Sequence, residues 1–152
     1  MRHGQGEHNL DVPGRFDIMH PHLTNKGKIQ AEQLKALFDL CNDDLSIASP
    51  TVRTIETLGI LTEDLTYSKK YITPLVGPRM FPQNPEWTTL ICDFLLSIES
   101  VEQHYPNLIL RIESIRSSGR KALTKSMEDI LKSWATGCWI GSRIRVIAER
   151  FS

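Results

Sequence analysis

The chain has 152 residues, and its 18 lysines and arginines balance 18 aspartates and glutamates, so the formal net charge is zero. A neutral chain exerts no general attraction on nucleic acid or on an anionic membrane, and we expect neither as a partner. The length is that of one domain, so we predict a single domain over residues 1–152.

Cysteine usage and hydropathy indicate the compartment. The three cysteines, Cys41, Cys92 and Cys138, are odd in number and lack short metal-type spacing, which predicts reduced core thiols and no metal site. No apolar run reaches the ~18 residues that a membrane span needs. No signal peptide precedes the first motif, so we expect a cytoplasmic protein.

The first predicted elements follow a polar loop over residues 1–9 and an irregular segment over 10–22. Apolar residues at helical spacing begin after Thr24 and Asn25, either of which can cap the helix; they are Ile29, Leu34, Leu37 and Phe38. The run Leu45–Ala48 predicts a short buried strand, and residues 51–61 return to helical spacing.

The second half is less regular. Residues 71–89 contain four prolines and are predicted to be a loop. A helix is expected around Ile91–Ile98, a second apolar stretch over residues 108–115, an amphipathic helix over 121–134, and a last strand over 144–148. Alternating strands and helices predict an α/β domain.

The opening loop combines a nucleophile, a cation and polar donors. His3 stands between Arg2 and Gly4, and Asn9 follows six residues later. Glycine lets a backbone approach a tetrahedral anion closely, and imidazole can attack phosphorus to form a covalent intermediate. The alternative is an exposed tail with scattered polar residues.

A second segment, Ser49–Thr57, lies where the predicted strand passes into a helix. Such a junction presents helix N-terminal amides to an anion. Arg53 falls in the first helical turn, where its guanidinium can bind two phosphate oxygens. The alternative is an ordinary solvated helix arginine.

Three segments in this order resemble the histidine phosphatase superfamily, also called phosphoglycerate-mutase-like, and within it a plant and fungal branch. They are Arg2-His3-Gly4, then Leu23-Thr24 with Gly27 and Gln30-Ala31, then Ser49 with Arg53-Thr54 and Thr57. The match spans residues 2–57. The resemblance implies a three-layer α/β/α sandwich, with a mostly parallel central sheet flanked by helices.

The resemblance also implies roles. His3 would be the phosphorylated nucleophile, Arg2 and Arg53 would bind the phosphoryl oxygens, and Asn9 would lie at the edge of the pocket. No metal and no organic cofactor is implied. Of the remaining histidines, His8 and His22 are expected near the pocket because both flank motif residues.

The chain departs from the family pattern at three places. Only Met1 precedes Arg-His-Gly, where the family has a central strand, so we expect the first strand to be missing and the chain to be truncated or degenerate. The family's acid falls on Pro78, and Glu86 is the candidate substitute, or else a solvated loop carboxylate. Glu149 stands in the place of the family's second histidine.

Two functions follow. The first is a phosphomonoester hydrolase, weak because of these departures, that acts on a small phosphorylated substrate through phospho-His3. The second is a degenerate, non-catalytic or repurposed protein that binds a phosphate-like anion or a partner. A sheet edge exposed by the missing strand would favour a homodimer.

Overall fold

A computed structural model describes residues 1–78, 90–110 and 144–147 of the chain. Their helices and strands, in chain order, are α1 (Asn25–Leu37), β1 (Leu45–Ala48), α2 (Val52–Leu61), β2 (Lys69–Ile72), α3 (Ile98–His104), β3 (Ile109–Leu110) and β4 (Ile144–Ile147). Short 3₁₀ turns occupy Glu7–Asn9, Pro74–Val76 and Ile91–Asp93. No helix of these described ranges is long and apolar enough to cross a membrane.

The four strands form one parallel sheet in the order β3-β2-β1-β4. The connections β1-α2-β2 and β2-α3-β3 step in the same direction across this sheet. Because such crossovers are right-handed, α2 and α3 lie on the same face.

Strand β1 is covered on both of its faces. Ala48 pairs in register with Ile72, and both are fully buried in one apolar cluster with Ile55, Leu58 and Leu61. Ile47 points to the opposite face because side chains alternate along a strand, and it is only 2% exposed. Burial on both faces is typical of a parallel strand between helical layers. The predicted α/β class, with a parallel sheet flanked by helices, is confirmed.

Local patterns predicted the elements around β1 well. Thr24 caps α1, and its hydroxyl accepts a hydrogen bond from the Gly27 amide at 3.1 Å. The strand Leu45–Ala48, the helix Val52–Leu61 and a strand over Ile144–Ile147 are all confirmed.

The apolar face predicted for α1 is wrong in part. Ile29 is 58% and Leu37 is 81% exposed, whereas the helix buries Gly27 and Ala31. The small residues are buried because the backbone of the opening loop lies directly against this side of the helix, as shown below.

Two further predictions are wrong. Tyr71 and Ile72, placed in a loop by the prolines that follow, end strand β2. This strand is formed by backbone pairing with β1. Because two of its four residues are lysines, no apolar run marks it in the sequence. The helix expected around Ile91–Ile98 is a 3₁₀ turn followed by extended chain, and α3 begins only after Ser97, whose side chain accepts from the Ser100 amide at 3.2 Å.

Residues 1–5 form no strand, and among the described residues the opening loop makes one isolated antiparallel bridge, between Gly6 and Leu23. Within the described residues, β1 is flanked directly by β2 and β4. The helix predicted over residues 121–134 lies outside the described residues.

Candidate active site

The opening loop is held against α1 by two glycines. A Cβ on Gly4 would lie 2.3 Å from the carbonyl oxygen of Gly27, and a Cβ on Gly27 would lie 2.1 Å from that of Gln5. Only glycine fits at such distances. The Thr24 amide also donates to the Gln5 carbonyl at 2.9 Å. The first two motifs therefore form one unit through backbone contact.

His3 is buried in this unit, with 8% of its surface exposed. Its Nδ1 lies 2.5 Å from the carbonyl oxygen of Gly4. Because a carbonyl oxygen can only accept, Nδ1 must carry the proton. The neutral ring therefore has its lone pair on Nε2, which is the nitrogen free to act as a nucleophile.

The surroundings of His3 keep this ring neutral. Burial lowers its pKa from 6.5 to about 4; the hydrogen bond to Gly4 opposes that shift, while the positive charges of Arg53 and Arg2 add to it. At neutral pH the imidazole is therefore unprotonated and available for attack.

A second imidazole, His8, stands beside His3. The two ring centroids are 5.6 Å apart and the ring planes are tilted by 52°. Burial above all, and then the positive charges of Arg53, His3 and Arg2, together lower the pKa of His8 to about 3. His8 thus lies beside His3, although it is not among the residues that line the cleft described below.

Arg53 reaches the site from the first turn of α2 and is only 1% exposed. Its Nη1 donates to the carbonyl oxygen of Cys92 at 2.7 Å, and its Nη2 pairs with Asp93 Oδ1 at 3.0 Å. Burial, and then the Asp93 charge, raise the pKa of the Cys92 thiol to about 11, so this cysteine stays protonated. No sequence signal marked Cys92 or Asp93 as neighbours of an arginine some 40 residues earlier.

Thr57 connects the loop to α2. The Gly4 amide donates to Thr57 Oγ1 at 3.2 Å, and that hydroxyl donates to the Arg53 carbonyl at 2.8 Å. Thr57, which ends the third motif, thus joins Gly4, the residue after His3, to Arg53. Its place in the motif was visible in the sequence, but its partner was not.

Glu56 connects the second and third motifs. One carboxylate oxygen contacts His22 Nδ1 at 2.7 Å, and the other accepts from the Leu23 amide at 2.7 Å. His22 is exposed and bound to Glu56, so it takes no part in the pair formed by His3 and His8.

A cleft of about 380 Å³ opens beside His3. Arg2, His3, Gly4 and Thr57 line one side, and the other side is formed by α1 residues Gln30, Ala31, Gln33, Leu34 and Leu37. Arg2 is exposed at this cleft, so an anion bound there would meet a cation and an imidazole together.

The remaining predicted site residues are placed differently. Asn9 Oδ1 accepts from the Gly6 amide at 3.1 Å, so this side chain closes the loop on itself. Pro78 lies two residues after the 3₁₀ turn Pro74–Val76. Glu86 and Glu149 lie outside the described residues. In residues 1–78, 90–110 and 144–147, no three histidine, cysteine or acidic side chains converge as a metal site would require.

Comparison with known proteins gives a consistent picture. The model of the histidine phosphatase superfamily (branch 1) matches residues 1–74. No curated protein matches the chain. Among solved structures, a protein of Escherichia coli named as a candidate α-ribazole-5′-P phosphatase is similar at 16% identity, with a TM-score of 0.53, over 99% of this chain and 72% of its own.

A mycobacterial protein named hydrolase 1 is similar at 14% identity with a TM-score of 0.52, over 97% of this chain and 72% of its own. At such low identities these structures establish the fold alone. The roles of Arg2, His3, Asn9, Arg53 and Glu86 therefore stay predictions.

Proposed function

We propose that this chain is a member of the histidine phosphatase superfamily that hydrolyses a small phosphomonoester through a phosphohistidine on His3. The observation that carries the proposal is the burial and protonation state of the His3 imidazole. His3 is buried, its Nδ1 proton is held by the Gly4 carbonyl, its Nε2 is unprotonated, and the positive charges of Arg53 and Arg2 act on the ring. The family model that matches residues 1–74 supports it.

The chemistry follows from this geometry. The Nε2 lone pair forms a bond to phosphorus while the phosphorus–oxygen bond of the ester breaks and its electron pair leaves with the alcohol or phenol oxygen. Charge spreads over the equatorial oxygens in the transition state, and nearby guanidinium groups stabilise it. Water then cleaves the nitrogen–phosphorus bond. No step of this reaction calls for a metal or an organic cofactor.

The cleft beside His3 supports a small substrate. Its volume of about 380 Å³ suits a ligand of small-molecule size. Arg2 and His3 would bind the phosphoryl group, and the amides of Gln30 and Gln33 along α1 would contact the remainder of the molecule.

The direct test is the hydrolysis of an aryl phosphate between pH 5 and 7 by the wild-type protein and by His3→Ala. We expect release of phenolate by the wild type and none above background by the variant. His104→Ala is the matched control, because His104 is exposed at the end of α3 and, among the described residues, contacts Ser100 of the same helix. Equal rates for wild type and His3→Ala would refute the proposal.

One observation favours the second function, a degenerate protein that binds an anion or a partner without turnover. Arg53 is already paired with Asp93, so its positive charge is partly neutralised before any phosphate arrives. In that case phosphate or vanadate would raise the melting temperature, Arg2→Ala would abolish the shift, and no aryl phosphate would be hydrolysed.

A further inference from the structure

The imidazole of His8 has no role in the function proposed above. Its ring lies 5.6 Å from that of His3, centroid to centroid. Its Nδ1 is buried with no hydrogen-bond partner and lies against Gly6, where a Cβ would come within 2.8 Å of both Nδ1 and Cε1. Nε2 is therefore the nitrogen of His8 that remains to exchange a proton with a neighbouring molecule.

Among the described residues, the carboxylates around the opening loop already bind other groups. Glu7 accepts from the His22 amide at 2.9 Å. Glu56 uses both oxygens, on His22 and on the Leu23 amide. Asp93 Oδ1 is paired with Arg53. Within the described part of the chain, His8 is the base left beside His3.

We propose that His8 is the general base that activates water for the hydrolysis of phospho-His3. The inference rests on the proposed function and deepens it, because it assigns the second chemical step to a named residue. It places that step on the opening loop itself, five residues after His3, rather than on a distant acid.

The step balances as follows. A water molecule between His8 and the phosphoryl group gives one proton to His8 Nε2, and its oxygen forms a bond to phosphorus. The nitrogen–phosphorus bond breaks, and its electron pair returns to Nε2 of His3. Phosphate leaves as HPO₄²⁻, and the His8 imidazolium passes its proton to solvent.

The electrostatics of the loop suit this sequence of events. Burial, and then the positive charges of Arg53, His3 and Arg2, lower the pKa of His8 to about 3, so the ring is neutral before the reaction but is only a weak base. A phosphoryl group on His3 then brings negative charge within a few ångströms of the ring. That charge favours the imidazolium at the moment when it forms.

The test is rapid-quench kinetics with an aryl phosphate, using an alkaline quench that preserves phosphohistidine. In His8→Gln we expect phosphoenzyme to form within a few-fold of the wild-type rate. Its hydrolysis should slow by about 10²–10⁴-fold, the usual effect of removing a general base. The phosphorylated fraction of the enzyme at steady state therefore rises in the variant, and both kcat and KM fall. His104→Gln, on exposed α3, is the matched control and should behave as wild type.

A merely structural role for His8 would slow formation and hydrolysis of the phosphoenzyme alike, and that result would overturn the proposal. In His8→Ala, added imidazole should restore part of the hydrolysis rate without changing the rate of formation. Absence of rescue together with equal slowing of both steps would count against a base.

A third variant covers the case in which His8→Gln fails to fold. Gly6→Ala keeps the imidazole but forces the ring to move, since a methyl group would lie 2.8 Å from it. We expect slower hydrolysis of phospho-His3, by less than in His8→Gln; an unchanged rate would overturn the proposal. If the wild type forms no phosphoenzyme at all, the proposed function itself has failed, an outcome distinct from all of these.

Discussion

Two regions hold the candidate site together by different physical means. The opening loop is fixed by shape, because Gly4 and Gly27 allow backbones to approach where no side chain fits. The first turn of α2 is fixed by charge, because Arg53 is buried against the Cys92 carbonyl and the Asp93 carboxylate. The comparison shows that the nucleophile and the buried guanidinium should fail in different ways when their supports are removed.

The largest effect is expected for Arg53→Met. This change leaves the Asp93 carboxylate without its ion-pair partner beside a buried carbonyl, and breaking such a pair costs about 3–5 kcal/mol. The free energy of unfolding, measured in urea, should fall by roughly the lower end of this range, because the Asp93 side chain is 18% exposed.

Arg15→Met is the control for that experiment. Arg15 pairs with an Asp11 side chain that is fully exposed, so the change should alter stability by no more than about 0.5 kcal/mol. The double variant Arg53→Met with Asp93→Asn should recover part of the loss. If the loss of stability in the double variant equals the sum of the losses in the two single variants, the ion pair does not hold α2 in place.

The next effect is expected for Gly27→Ala. Its methyl group would meet the Gln5 carbonyl at 2.1 Å, so the loop that carries His3 must move. We expect a loss of about 1–3 kcal/mol, the usual cost of overpacking, together with loss of aryl phosphate hydrolysis.

Gly59→Ala is the matched control, because Gly59 lies in α2 and a Cβ there would meet nothing within 4 Å. That variant should be more stable than wild type by about 0.5–1 kcal/mol, since alanine is the better helix former. Similar losses in both glycine variants would contradict the idea that shape fixes the loop.

A smaller effect is expected for Thr24→Ala. The Thr24 hydroxyl accepts from the Gly27 amide at 3.1 Å and lies 3.0 Å from the Gln5 side-chain oxygen, so it caps α1 and contacts the loop. Loss of such a cap costs about 1 kcal/mol. Thr24→Ser keeps the hydroxyl and should retain most of the stability in the same urea titration.

The smallest effect is a difference in pH dependence. The pKa values of His3 and His8 are lowered from 6.5 to about 4 and about 3, so the unfolded chain binds more protons than the folded one in this window. Their contribution to stability is therefore intact above pH 6.5 and is lost as the pH falls toward 4.

Urea unfolding at pH 7 and pH 4.5 measures this contribution. His8→Gln removes one of the two groups, and we expect it to lose less stability than wild type over this interval, by about 1 kcal/mol after allowance for the partial exposure of the ring. An equal loss in both proteins would show that His8 is not held neutral by the fold.

The same comparison shows why some of the site could be predicted and some could not. Gly4, Gly27 and the Thr24 cap act over a few residues or between short motifs, and their spacing was visible in the sequence. The helix expected over Ile91–Ile98 failed because the chain there serves a distant partner: Cys92 and Asp93 bind Arg53, and the Leu96 amide donates to the Pro50 carbonyl at 2.7 Å.

The sequence by itself determined the α/β class, the strand Leu45–Ala48, the capped start of α1 and the three motifs that surround His3. Only the tertiary structure decided that Asp93 pairs with Arg53, that Thr57 joins α2 to Gly4, and that His8 stands beside His3. The physical reason is range. Caps and alternation act between near neighbours along the chain, whereas ion pairs and packed rings depend on where the folded chain brings distant residues together.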